Sequence, residues 1–141
     1  MILETALWPL QQAIFQRLNN DAALKEKVTG VYDYVSKGDP FPYVTIGEPT
    51  MSPLETKTSY SENIPWVLQC YSMYQGKKEI MEILNLMVKA LTKEPWNVEG
   101  FKVNRFNIEP NMRVINPADV GFPYQGILNV RFYIEKQEVM R

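Results

Sequence analysis

Asn63 to Leu91, NIPWVLQCYSMYQGKKEIMEILNLMVKAL, is the stretch that decides the fold. Its hydrophobic period changes once, from two to about 3.6. In Ile64 to Met73, Ile64, Trp66, Leu68 and Cys70 fall on one face, and Val67, Tyr71 and Met73 on the other. Such alternation, rich in aromatic and β-branched side chains, predicts a strand, and apolar residues on both faces predict a central one. Gln75 and Gly76 interrupt the pattern. From Lys77 onward Ile80, Ile83, Leu84, Met87, Ala90 and Leu91 recur at three- and four-residue steps, which paints one apolar stripe along a helix. A helix burying that stripe needs a sheet face beneath it, and the preceding strand supplies part of one.

Working towards the amino terminus, Glu48 to Glu62, EPTMSPLETKTSYSE, is polar and rich in threonine and serine. It is longer than the usual connection between elements, so it reads as an extended β-arm or a functional loop. Met51, Leu54 and Tyr60 within it have no evident intramolecular partner, and Lys57 offers a cleavage point for trypsin. Before it, Phe41 to Gly47 (FPYVTIG) reads as a strand whose flanking Pro40 and Pro42 suit an edge or a strand entry. Val31 to Tyr34 reads as a short strand. Leu7, Leu10, Ile14 and Leu18 give a first helix with Thr5 as its cap, and Asp21 caps a short second helix through Leu24 to Val28.

Towards the carboxyl terminus, Phe101 to Glu109 reads as a strand with Phe101, Val103, Arg105 and Asn107 on one face. A second long loop, Glu109 to Phe122, follows. The last strand runs from Tyr124 to about Lys136, where Leu128, Val130, Phe132 and Ile134 alternate with Asn129, Arg131, Tyr133 and Glu135. One of its faces is therefore core and the other half-wetted. The expected architecture is an α+β single domain over residues 1–141, in the order α-α-β-β-β-α-β-β. It has a mostly antiparallel sheet of about five strands with helices packed on it.

Composition narrows the function. The chain has 141 residues, 45% of them apolar and 22% charged, as in ordinary globular proteins. A net charge of −1 gives no general attraction for nucleic acid or an anionic membrane. No apolar run approaches the ~18 residues of a membrane span, and the amino terminus lacks the basic region and cleavage site of a signal peptide. Cys70 is the only cysteine, so there is no internal disulfide framework, in keeping with a reducing cytoplasm. There is no histidine, which removes Ser-His-Asp and Cys-His catalysis and His-ligated zinc together.

The remaining candidates for chemistry read as structural. Glu79 and Glu82, three apart on the third helix, suit a solvated face near a helix N-terminus. Cys70 reads as a buried, inert thiol. Arg105 and Arg131 on neighbouring strands make at most a small basic patch. No phosphate loop, dinucleotide fingerprint, metal-ligand cluster or calcium loop is present. No catalytic residue, metal or cofactor is expected. What is left is contact surface: the two long loops, with Met51, Leu54, Lys57, Tyr60, Phe122 and Tyr124 as interface candidates. On the residues alone this describes a small α+β domain that binds other proteins or a ligand, such as a small cytoplasmic adaptor.

Several of these stretches together resemble a known family. LxxLxxxIFxxL (Leu7 to Leu18), DAALKEKV (Asp21 to Val28), VYDYV (Val31 to Val35) and PFPYVTIG (Pro40 to Gly47) occur in that order. ETKTS (Glu55 to Ser59) and YSMYQG (Tyr71 to Gly76) follow, the latter with tyrosine at position 71 where the pattern has tryptophan. The series resembles the tail-completion (tail-terminator-like) proteins of long-tailed bacteriophages and prophages. That resemblance implies a structural virion protein without enzyme activity or cofactor. It implies a six-fold ring of the chain itself, weakly associating or monomeric when free, which caps the tail tube and meets the head connector. It further implies assembly in the bacterial host cytoplasm and residence in the virion neck, with no specific nucleic-acid or membrane partner.

Overall fold

A computed structural model describes residues 4–55 and 59–137. Ten elements follow one another: α1 (Leu7–Asn19), α2 (Ala22–Lys27), β1 (Val31–Tyr32), β2 (Tyr43–Pro49), β3 (Ser52–Glu55), β4 (Tyr60–Ser72), α3 (Lys78–Thr92), β5 (Phe101–Ile108), β6 (Arg113–Ile115) and β7 (Tyr124–Lys136). The strands form one sheet in the order β1-β2-β4-β7-β5, with β3 added beside β4 and β6 beside β7. Among the described residues only the β1–β2 pairing is parallel. The expected α+β class and mostly antiparallel sheet hold. Two short strands raise the count from about five to seven: β3 arises inside the stretch read as an extended β-arm or a loop, and β6 inside the second long loop.

The centre is the antiparallel pair β4 and β7, aligned without a break from Ser61 opposite Glu135 to Ser72 opposite Tyr124. Residues 60, 62, 64, 66, 68, 70 and 72 of β4 are all buried, the strict alternation of a strand with one covered face. The helices cover that face: α3 lies on β4 and β7, and α1 on β1 and β2. Ile80, Ile83, Leu84, Met87, Ala90 and Leu91 of α3 are all buried, as the stripe predicts. They meet Ile64, Trp66, Leu68, Cys70, Leu128, Val130, Phe132 and Ile134 in one core. On the opposite face Asn63, Val67, Gln69, Asn129, Arg131 and Tyr133 stay half-buried, with no helix over them among the described residues.

Pro65 sits inside this central strand, where a missing N–H is ordinarily costly. Its carbonyl accepts from Thr50 N–H at 3.0 Å, so its nitrogen looks toward the same edge. That point is the break between β2 and β3, where the register shifts after Ile46, and no ladder donor is lost. Gly47 lies at the same break. A Cβ there would stand 2.6 Å from the Val67 carbonyl oxygen, which only glycine avoids. The Trp66 indole N–H donates to the Gly47 carbonyl at 2.8 Å and closes the junction.

β5 corrects the expected face assignment. An extra residue shifts its register between Val103 and Arg105, so Val103 faces Ile134 while Arg105 faces Tyr133. Phe106 and Ile108 are thereby turned onto the core, and Arg105 and Asn107 onto the open face. At the other side of the helix layer, the Arg17 guanidinium donates to the carbonyls of Leu91, Glu94 and Pro95, at 3.3, 2.7 and 2.6 Å. It also lies 4.1 Å from the Trp96 ring centre. A cation from α1 thus caps the C-terminal end of α3 and fastens the two helices together.

Candidate assembly surfaces

The arm between β2 and β4 is ordered differently from root to strand. β3 pairs with the first residues of β4, Ser52 opposite Asn63 through Glu55 opposite Tyr60. All four β3 residues are exposed, and Leu54 keeps 44% of its surface open. Met51 is half-buried and packs against the core. Lys57 lies outside the described residues.

Tyr60 is not a surface anchor. β4 begins at Tyr60, four residues earlier than the alternation from Ile64 suggests, and Tyr60 shares the parity of the core-facing positions. Its ring is buried and its hydroxyl donates to Glu62. Glu62 is itself fully buried, accepting from Ala6 N–H at 2.8 Å and Thr5 Oγ1 at 3.1 Å. A carboxylate from the arm root therefore caps the first turn of α1, where the open N–H groups favour negative charge. The charge at Glu62 is what hid the early start of the strand. Burial first, and then the Glu62 carboxylate, push the Tyr60 phenol up to about 12.

A second surface lies where β4 ends and β7 begins. Phe122 is 60% exposed on the connection into β7, next to the bare Val120. Tyr124 is half-buried and packs on the core opposite Ser72. Met73 and Tyr74 after β4, Met81 on α3, Met112 just before β6 and Ile115 at its end are exposed as well. Most large exposed apolar side chains among the described residues thus sit around this end of the sheet, in segments where sequence reading offered only Phe122 and Tyr124. Their signal was weak because they come from four separate stretches of the chain that only the fold brings to one end of the sheet.

The polar candidates have structural employment. Ser72 Oγ donates to Glu79 at 2.6 Å, and Lys27 Nζ lies 2.8 Å from Glu82, joining α2 to α3. Arg131 pairs with Glu109 and donates to Asn63 at 2.8 Å, so with Arg105 it forms no free basic patch. Burial pushes the Cys70 thiol up to about 12, far from a nucleophile's range. Among the described residues no group of three or more acidic or cysteine side chains is placed to hold a metal ion, and no helix is long and apolar enough to cross a membrane.

The family model described as "Tail completion protein gp17" matches residues 12–135. The chain belongs to that family. Tail completion protein gp17 of Bacillus phage SPP1 is 35% identical over 127 residues, spanning 89% of this chain and 91% of the relative. The solved structure of bacteriophage SPP1 gp17 superposes with a TM-score of 0.60 at 29% identity, over 92% of this chain and 95% of that one. A chain from the virion of a native gene transfer agent particle superposes more closely, with a TM-score of 0.81 over 94% of this chain and 99% of that one. At 20% identity that likeness concerns the fold alone. The family is one of phage tail structural proteins, and the resemblance read from PFPYVTIG and YSMYQG is correct at that level.

Proposed function

We propose that this tail-completion protein caps the tail tube as a six-fold ring and joins it to the head-side connector. Family membership over most of the chain carries this reading. The surface agrees with it. A ring needs two different faces on each subunit, one for each neighbour, and two layers above and below it need contact surface of their own. The exposed β3 strand and the apolar end around Met112 and Phe122 supply distinct faces. The chain assembles in the host cytoplasm and resides in the virion neck. Leu54 and Phe122, the exposed ones among the five interface candidates that lie within the described residues, are the anchors this reading uses. Electron microscopy of purified tail tubes mixed with the protein tests it. The expected result is a ring of added density at one tube end; bare tube ends at saturating protein would overturn it.

A further inference from the structure

An open groove of about 460 Å³ runs between α3 and β6. Met81, Leu84, Val88, Met112 and Val114 form its walls, and Met81 and Met112 are each about half exposed. Lys77 and Arg113 stand at its rim, and no acidic side chain lines it. Methionine walls adapt to an irregular apolar insert, and the two cations favour an insert that carries negative charge. β3 presents that combination, an exposed Leu54 followed by an exposed Glu55.

The sheet order sets where these two features lie. β3 is added on the β2 side of β4, and β6 on the β5 side of β7. They therefore occupy opposite edges of one sheet. They also lie at opposite ends of its long central pair, since β3 flanks residues 60–63 and β6 flanks 125–127, next to residues 69–71 of β4. One partner related by a two-fold axis cannot fill both at once, whereas a head-to-tail neighbour fills one and leaves the other open for the next copy.

We propose that the groove between α3 and β6 receives β3 of a second copy of this chain, with Leu54 between Met81 and Met112 and Glu55 facing Lys77 and Arg113. The proposal rests on the ring reading above and supplies its contact. A four-residue strand in a groove of this size falls well short of the ~1,200–2,000 Å² of a stable interface. The contact is accordingly weak until a tail end holds several subunits together.

Cysteine cross-linking tests the contact. The one natural cysteine, Cys70, is buried and is a poor nucleophile, which keeps the background low. Leu54→Cys protein mixed with Met112→Cys protein, free and on tail tubes, is expected to give mixed disulfide dimers. The double variant is expected to give a ladder that stops at a closed ring. Arg113→Glu in the Met112→Cys chain should lower the cross-link yield by about tenfold, and Glu55→Arg in the Leu54→Cys chain should restore it. Rings visible by microscopy without the mixed disulfide would overturn this contact and leave the ring reading standing. A ladder formed by protein that never binds tail tubes would support the contact and overturn the tail reading. Leu54→Cys pairing chiefly with itself, or a yield indifferent to both charge reversals, would overturn the proposed seating of the arm.

Discussion

Glu62 is the only charged side chain fully buried among the described residues, and three donors converge on it. Its consequence is measurable through Tyr60. In an unfolded chain a tyrosine ionises near its ordinary value of about 10, whereas the folded protein holds the Tyr60 proton to about 12. The stabilisation is therefore complete below pH ~10 and is lost as pH rises through the folded value. Cys70, raised by burial from 9.0 to about 12, adds a decline of the same sign that begins lower. Urea unfolding across this alkaline range should show a shallower decline for Tyr60→Phe than for the parent. At neutral pH the same variant should lose about 1 kcal/mol, because Glu62 loses a donor. An unchanged alkaline slope would remove Tyr60 as its source. Gly126 makes a second residue-level test, since a Cβ there would stand 2.6 Å from Cys70 Sγ and 3.0 Å from Leu84 Cγ. Gly126→Ala should cost about 1–3 kcal/mol, and part of that loss should return in a Cys70→Ala background. Strictly additive effects would show that the sulfur is not what the new methyl meets.

Among the elements, α3 carries the clearest expectation. Leu84 is buried against the central strands, so Leu84→Ala should cost about 2–5 kcal/mol, read from the shift in urea midpoint. A shift within experimental error would mean that the stripe on α3 is not what holds it to the sheet. α3 and β7 were legible in the sequence because each keeps one period over its whole length. β5 was legible as a strand but not in its facing, because one inserted residue changes parity without changing composition. β3 was legible only as one of two readings of its segment, an extended β-arm or a loop, and β6 was not legible at all. Strands of four and three residues are too short to show a period, and both hold their place by pairing with a distant strand. Tyr60 was misplaced for a related reason. A strand whose second inward position is glutamate looks like a loop until the capped helix end is in view.

At the scale of the whole molecule, the contact surfaces are modest and lie apart, which predicts mostly monomer in dilute solution and higher species only as concentration rises. Sedimentation over a wide concentration range checks this; a two-fold dimer that persists at every dilution would contradict a head-to-tail arrangement. The candidate surfaces were half legible from sequence. Leu54 and Phe122 stand exposed, whereas the half-buried Met51 and Tyr124 and the buried Tyr60 show that an apolar residue in a polar run is no guide to exposure when the run pairs with a strand. The long β4–β7 pair also governs how the protein is made. Its partners lie between 52 residues apart at Ser72 and Tyr124 and 74 apart at Ser61 and Glu135. On a translating ribosome β4 emerges well before β7 exists, and its apolar face must wait under the helices alone. Non-local pairing of this kind makes folding slow and late. A chain stalled between α3 and β7 exposes an open strand edge ready to join another such chain. Completion of β7 therefore sets both the timing of maturation and the moment of greatest aggregation risk.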